Sequence, residues 1–275
     1  MNETHFGARD LSLAYGKKRI IEALNIDIPI GYITALIGRN GSGKSTLLKA
    51  MARLIQPHGG AVYINGQSIH AMPTREVSRR LAILPQHPQS PEGLTVEELV
   101  WHGRFPHQSV WGGKRKEDRQ IVQWAMEMTG VSEWADRPLS SLSGGQRQRA
   151  WIAMALAQKT PLLLLDEPTT YLDLAYQIEV LDLLKRLNET EGITVVMVLH
   201  DINQAARYAH QLIALRDGKV VAQGTPSSVI TPETLESVFG IQARVIADPV
   251  TGHPMCIPLS SASRKKMKQP VALGQ

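Results

Sequence analysis

The chain has 275 residues, 43% of them hydrophobic and 20% charged, with a formal net charge of +5 at pH 7. Those proportions are ordinary for a soluble globular protein of one substantial domain or two small ones. A single cysteine, Cys256, excludes an intrachain disulfide and a cysteine-rich metal site and is read as a packing residue. The longest apolar runs, Leu162 to Leu165 and Ile193 to Leu199, fall far short of the ~20 residues that span a bilayer and look like buried parallel strands. The N-terminus lacks the charged-then-apolar layout of a signal peptide, so a cytoplasmic chain is expected.

Arg9 to Tyr15 and Ile26 to Ile30 alternate apolar and polar residues and predict two half-buried strands. Tyr32 to Ile37 predicts a buried strand that runs straight into Gly38-Arg-Asn-Gly-Ser-Gly-Lys-Ser-Thr46, and Lys44 to Leu54 has helical spacing. Ala61 to Ile64 and Leu81 to Leu84 are further strands, with a tight turn at Asn65-Gly66 between them. From about His87 the character changes. Thr95-Val-Glu-Glu98 has capping-box spacing and opens a helix. Ile121, Trp124, Ala125 and Met128 mark one face of a second helix, and a third starts near Ser143. The core resumes with a strand at Pro161 to Leu165, a helix through Ile178, Leu181, Leu184 and Leu187, and a strand at Thr194 to Leu199. That alternation predicts a mainly parallel sheet with helices on both faces. Leu212 to Leu215 and Lys219 to Ala222 flank Asp217-Gly218 as a closing hairpin. The basic run Arg264-Lys-Lys-Met-Lys268 reads as a solvated tail, with a modest attraction to phospholipid head groups as the alternative.

Three segments carry chemistry. Gly38, Gly43, Lys44 and Ser45 fit the phosphate-cradling pattern G-x-x-x-x-G-K-[ST], in the strand–loop–helix context it requires. Glycines at 38, 41 and 43 let backbone N–H groups approach phosphate oxygens; Lys44 would pair with the β- and γ-phosphates and the Ser45 hydroxyl would hold Mg²⁺. Leu162 to Leu165 ends in Asp166 and Glu167, and adjacent strand residues face opposite ways. Two roles can be divided: Asp166 coordinates Mg²⁺, while Glu167 acts as general base on the attacking water, a contribution of ~10²- to 10⁴-fold. Ser143-Gly-Gly-Gln146 fits a capping box, and its free N–H groups and positive dipole end suit a γ-phosphate.

The phosphate loop followed by Leu142-Ser-Gly-Gly-Gln146 resembles the ATP-binding cassette (ABC) family. The fold that this resemblance implies is α/β: a RecA-like, mainly parallel sheet core, an N-terminal antiparallel β portion and an inserted helical subdomain. One ATP-binding domain would cover residues 1–258 (core 1–86 and 161–258, helical subdomain about 87–160), with 259–275 as a basic tail. The resemblance extends nucleotide binding to Asn40, Gly41, Ser42 and Thr46. It also implies that Ser143, Gly144, Gly145 and Gln146 complete the site of a second copy, in a head-to-tail homodimer that closes on ATP. Tyr15 matches the aromatic that stacks on adenine, Gln86 the glutamine that senses Mg²⁺ and the attacking water, and His200 the histidine that contacts the γ-phosphate. Thr170-Tyr-Leu-Asp173 occupies the segment by which two cassettes touch, with Asp173 kept where Ser-Ala-Leu-Asp is usual.

Pro168 to Ile178 is similar to the variant found in importers of iron–siderophore complexes, haem and vitamin B12, as is Gly103-Arg-Phe-Pro-His107, which also reads as an ordinary turn leaving a helix. The expected function is therefore the ATP-hydrolysing subunit of a ferric siderophore importer. Haem or vitamin B12 uptake, an exporter subunit, and a soluble ABC ATPase acting on DNA or ribosomes stand as alternatives in that order. Its implied partners are a second copy, integral membrane permease subunits and, indirectly, a substrate-binding protein, with no nucleic acid, at the cytoplasmic face of the inner membrane. His102 and His107 are not expected to bind iron. Of Trp101, Trp111, Trp124, Trp134 and Trp151, most are expected in the core and one or two at a groove for a membrane subunit.

Overall fold

In the computed structural model, which describes residues 5–89, 91–108 and 116–261, the chain opens with two long antiparallel strands, β1 (Phe6–Tyr15) and β2 (Lys18–Ile28). β2 begins well before Ile26. Register shifts and left-handed residues at Asp10 and Ala23 break the two-residue period there, which hides the strand from its pattern. β3 (Ile33–Ile37) feeds the glycine loop and α1 (Lys44–Met51). Asn65-Gly66 turns β4 (Gly59–Ile64) into a short β5 (Gln67–Ser68) instead of leading towards the next core strand. An unexpected helix follows, α2 (Thr74–Arg80), whose one buried residue is Val77, and then β6 (Leu81–Leu84).

The helical block holds α3 (Val96–His102), α4 (Lys116–Thr129) and α5 (Gly144–Ala157). The core is rebuilt by β7 (Leu162–Leu165), α6 (Leu174–Glu191), β8 (Thr194–Val198), α7 (Ile202–Tyr208), β9 (Gln211–Arg216) and β10 (Lys219–Gly224). After α8 (Pro226–Val229) and α9 (Pro232–Phe239) comes an antiparallel hairpin of β11 (Ile241–Ala247) and β12 (Pro254–Ser261). That hairpin was not expected, and it carries ordered structure past residue 258. Trp111 and the basic run 264–268 lie outside the described residues. Among the described residues, no helix is long and apolar enough to cross a membrane.

The central sheet has the order β10-β9-β3-β8-β7-β6, parallel throughout except for β10 at its edge; a second sheet, β2-β1-β4-β5, is antiparallel. Alternation along the parallel strands sorts their side chains into two cores. Ala35, Leu163, Leu165, Val195 and Met197 face the helical block with α6, while Leu36, Leu162, Leu164, Val196 and Val198 face α1 and the antiparallel sheet.

Within the helical block the inner face of α4 is Asp118, Val122, Ala125, Met126 and Thr129; Ile121, Trp124 and Met128 are only half-buried. The expected face is off by one position because a buried charge sits in the stripe. Arg104 Nε donates to Asp118 Oδ1 at 2.8 Å and Arg104 Nη1 to the Ala157 carbonyl at 2.7 Å, both side chains being buried. His107 Nε2–H donates to the Gln158 carbonyl at 2.8 Å. Gly103 is right-handed, and an added Cβ would meet the Met154 carbonyl at 2.1 Å, so glycine is needed for contact with α5, not to turn the chain. Gly103 to His107 is thus the stitch that joins α3 to α4 and α5. Trp101, Trp134 and Trp151 are buried in the core that the helical block shares.

At the far end of β3 from the glycine loop, the Ile33 amide donates to His210 Nδ1 at 3.0 Å, while the His210 amide donates to the Ile33 carbonyl at 2.8 Å. Only a neutral imidazole can accept that bond. Burial holds the His210 pKa below its ordinary value, with Lys185 and His253 adding to the effect and Glu189 opposing it.

Two outcomes follow from these contacts. Arg104→Met leaves Asp118 buried and uncompensated, so it should cost about 3–5 kcal/mol in urea denaturation, much of which the pair Arg104→Met/Asp118→Leu should recover. Because the folded-state pKa of His210 lies below the unfolded one, the stability it contributes is present above about pH 6.5 and is lost as pH falls through that range. Melting temperatures between pH 7.5 and 5.5 should therefore fall less steeply in His210→Asn, whose amide oxygen accepts the same N–H without titrating.

Candidate active site

β3 is buried along its whole length and delivers the chain to Gly38 at the sheet's carboxyl edge. There φ is 146°, and a Cβ would lie 2.2 Å from the Leu215 carbonyl, so no side chain fits. Gly43 caps α1 with φ 102°. Between them the loop folds around its own lysine: Lys44 Nζ donates to the Gly38 carbonyl at 2.8 Å and the Arg39 carbonyl at 3.0 Å. Burial pulls the Lys44 pKa down, against the attraction of Glu167 and Asp166, which raises it.

The two carboxylates at the end of β7 occupy opposite electrostatic situations. Asp166 is 2% exposed, and neither of its oxygens has a hydrogen bond of normal geometry within the chain. Burial pushes its pKa above the usual carboxylate range, while the nearby Ser45 hydroxyl and the Lys49 ammonium pull it back. Glu167 is fully partnered. Its Oε2 accepts from Gln86 Nε2 at 2.6 Å and from Thr170 Oγ1 at 3.0 Å, and its Oε1 lies 2.7 Å from His200 Nε2. The backbone at Glu167 is left-handed, φ 55°, a conformation that costs a non-glycine residue on the order of 1 kcal/mol and clusters at functional sites. This turn at the strand end swings Glu167 out of line with Asp166.

An open cavity of about 550 Å³ joins these groups. Asn40, Gly41, Ser42, Gly43, Lys44, Ser45, Thr46, Gln86, Glu167 and His200 line it, with Gly38 and Asp166 buried behind. Backbone N–H groups, a lysine and a hydroxyl on one wall suit a polyphosphate; a hydrogen-bonded carboxylate on the other suits proton abstraction. The buried, unpartnered Asp166 beside Ser45 presents the oxygen donors that a hard divalent cation takes. Among the described residues no group of three or more His, Cys, Asp or Glu could hold a metal by itself.

Several expected residues stand elsewhere. Tyr15 pairs with Lys18 at the β1–β2 turn, is 53% exposed and does not line the cavity; Lys18 and Ile20 stand there instead. Ser143 forms the expected capping box with Gln146, but Ser143, Gly144, Gly145 and Gln146 do not line the cavity of their own chain. Asp173 caps α6 by accepting from the Tyr176 amide at 3.0 Å. Thr170 and Tyr171 also line the cavity, and their place three and four residues after Glu167 was the available signal. Lys18 and Ile20 gave none, because β2 was not recognised at its start.

Residues 21–170 match the family model described as ABC transporter. The chain is 58% identical over 247 residues to the iron(3+)-hydroxamate import ATP-binding protein of Bacillus subtilis (strain 168), covering 90% of this chain and 92% of that one. An inward-facing metal-chelate type ABC transporter has a chain that superposes with a TM-score of 0.81 at 30% identity, over 94% of this chain and 98% of that one. The dimeric post-hydrolysis cassette MJ0796 with ADP and phosphate gives 0.69 at 30% identity, over 80% and 98%. A phosphate loop, a paired and an unpaired carboxylate, and this extent of likeness lead to one conclusion: the chain belongs to the ABC transporter family, as an ATP-binding subunit.

Proposed function

We propose that the chain hydrolyses ATP to drive import of ferric siderophores, among which the iron(3+)-hydroxamate complexes of one relative are a class to test. The observation that carries the hydrolytic part is Glu167, held between Gln86 and His200 within the cavity of the phosphate loop. Lys44 exchanges the Gly38 and Arg39 carbonyls for the β- and γ-phosphates, and the loop amides take the remaining oxygens. Ser45 and Asp166 would hold Mg²⁺, with Gln86 near it; the ion supplies charge neutralisation on the phosphates. Gln86 and Glu167 orient the attacking water, Glu167 accepts its proton, and His200 contacts the γ-phosphate.

Because Ser143 to Gln146 stand outside the cavity of their own chain, they are free to close over the nucleotide of a second copy. The paired cassettes bind permease subunits from the cytoplasmic face of the inner membrane, and a substrate-binding protein delivers the chelate on the far side. The siderophore never touches this chain. Kinship with the Bacillus subtilis importer subunit supports that assignment.

In Glu167→Gln, ATP binding should survive while turnover falls at least about 10²-fold. That variant, tagged and extracted from native membranes in ATP and Mg²⁺, should bring down a many-helix membrane subunit identifiable by mass spectrometry. Recovery of ribosomes or nucleic acid with no membrane partner would sink the importer reading, and undiminished hydrolysis would remove Glu167 as base. Lys44→Ala should instead weaken ATP binding itself, by about tenfold or more given the strength of charge-assisted hydrogen bonds, in equilibrium titration.

A further inference from the structure

Besides Gln86, two groups hold Glu167, and they belong to different elements. Thr170 lies in the loop before α6, and His200 lies in the loop before α7. Each loop ends in an aspartate that caps its helix: Asp173 accepts from the Tyr176 amide at 3.0 Å, and Asp201 from the Gln204 amide at 2.8 Å. The first turns of the two helices are then joined side by side. Gln204 Nε2 donates to Gln177 Oε1 at 2.7 Å, and Gln177 Nε2 donates to the Leu172 carbonyl at 2.9 Å. Both glutamines are half-buried.

These contacts close a ring. From Glu167 it passes through Thr170 to Leu172, across Gln177 and Gln204 to the start of α7, and back through His200 to Glu167. We propose that Gln177 and Gln204 are positioning residues for ATP hydrolysis, tying the loop of Thr170 to the helix behind His200 so that these two of the three supports of Glu167 move as one. The proposal rests on the reading of Glu167 as the base. Neither glutamine lines the nucleotide cavity, so they act on the base and not on ATP.

The bond pattern also ranks the two residues. Gln177 grips both the loop and α7, whereas Gln204 grips only Gln177, so losing Gln177 should already include the loss of Gln204. The test is steady-state ATP hydrolysis by the full chain carrying Gln177→Met, Gln204→Met or both, with kcat and KM separated. Small displacements of reacting groups are costly, so each single change should lower kcat about five- to tenfold with KM for ATP held within about twofold. The double variant should be no slower than Gln177→Met alone, as expected of residues in one network. Gln204→Lys, which restores a donor to Gln177 Oε1, should recover at least about half of the lost kcat, a rescue that general loosening would not show. Melting temperatures read in parallel keep the comparison among folded proteins.

Losses that multiply in the double variant, a rise in KM at unchanged kcat, no rescue by lysine, or wild-type rates throughout would each overturn the relay. Glu167→Gln measured beside them separates the two readings. If it is inactive while the glutamine variants run at wild-type rates, only the relay falls. If it turns over normally, the base and the relay fall together.

Discussion

Parallel pairing is the constraint on which the site depends. β3, β8, β7 and β6 run the same way in matched register, with Leu36 beside Val198, Leu165 beside Met197, and Leu84 beside Leu165. Strands that share direction and register end along one edge. Gly38, His200, Asp166 and Gln86 each follow one of those ends within two residues or so, and so meet despite lying far apart in sequence. The same edge is where open α/β sheets bind ligands generally. The antiparallel sheet and the helical block contribute walls and cover; the meeting itself is a product of register.

The charges at that edge are shared out unequally. Lys44 is satisfied by loop carbonyls, and Glu167 has three partners, while the buried Asp166 has no hydrogen bond of normal geometry, with the Ser45 hydroxyl and the Lys49 ammonium nearby. A buried carboxylate without a partner is expensive to ionise, and its raised pKa expresses that cost. A cation bound beside it would return that energy. Lys44 and Glu167 thus have their partners within the chain, whereas Asp166 is left with the nearby Ser45 hydroxyl and Lys49 ammonium.

Local chemistry was legible in the sequence, and contact between distant segments was not. The phosphate loop, the apolar strand ending in two carboxylates, and the Thr95 and Ser143 capping boxes are all short-range patterns, and each stands where it was expected. α2 escaped because a surface helix with Val77 as its single buried residue has no apolar stripe. The face of α4 was misplaced because Asp118 occupies an inner position, and nothing near it names Arg104 as its partner. β12 contains Pro258 among exposed residues, which blurs any alternation. Likewise, Gln86 and His200 could be assigned roles through kinship, but that both would rest on Glu167 required coordinates.

The left-handed backbone at Glu167 carries a consequence for how such chains vary. A glycine there would relax the strain, on the order of 1 kcal/mol, and at the same step remove the proposed base. Backbone strain and the proposed catalysis thus pull on position 167 in opposite directions. A random library sorted for heat resistance alone should gather inert proteins at this codon, and an alignment of cassettes that have given up hydrolysis should show small or left-handed-tolerant residues where this chain keeps its glutamate.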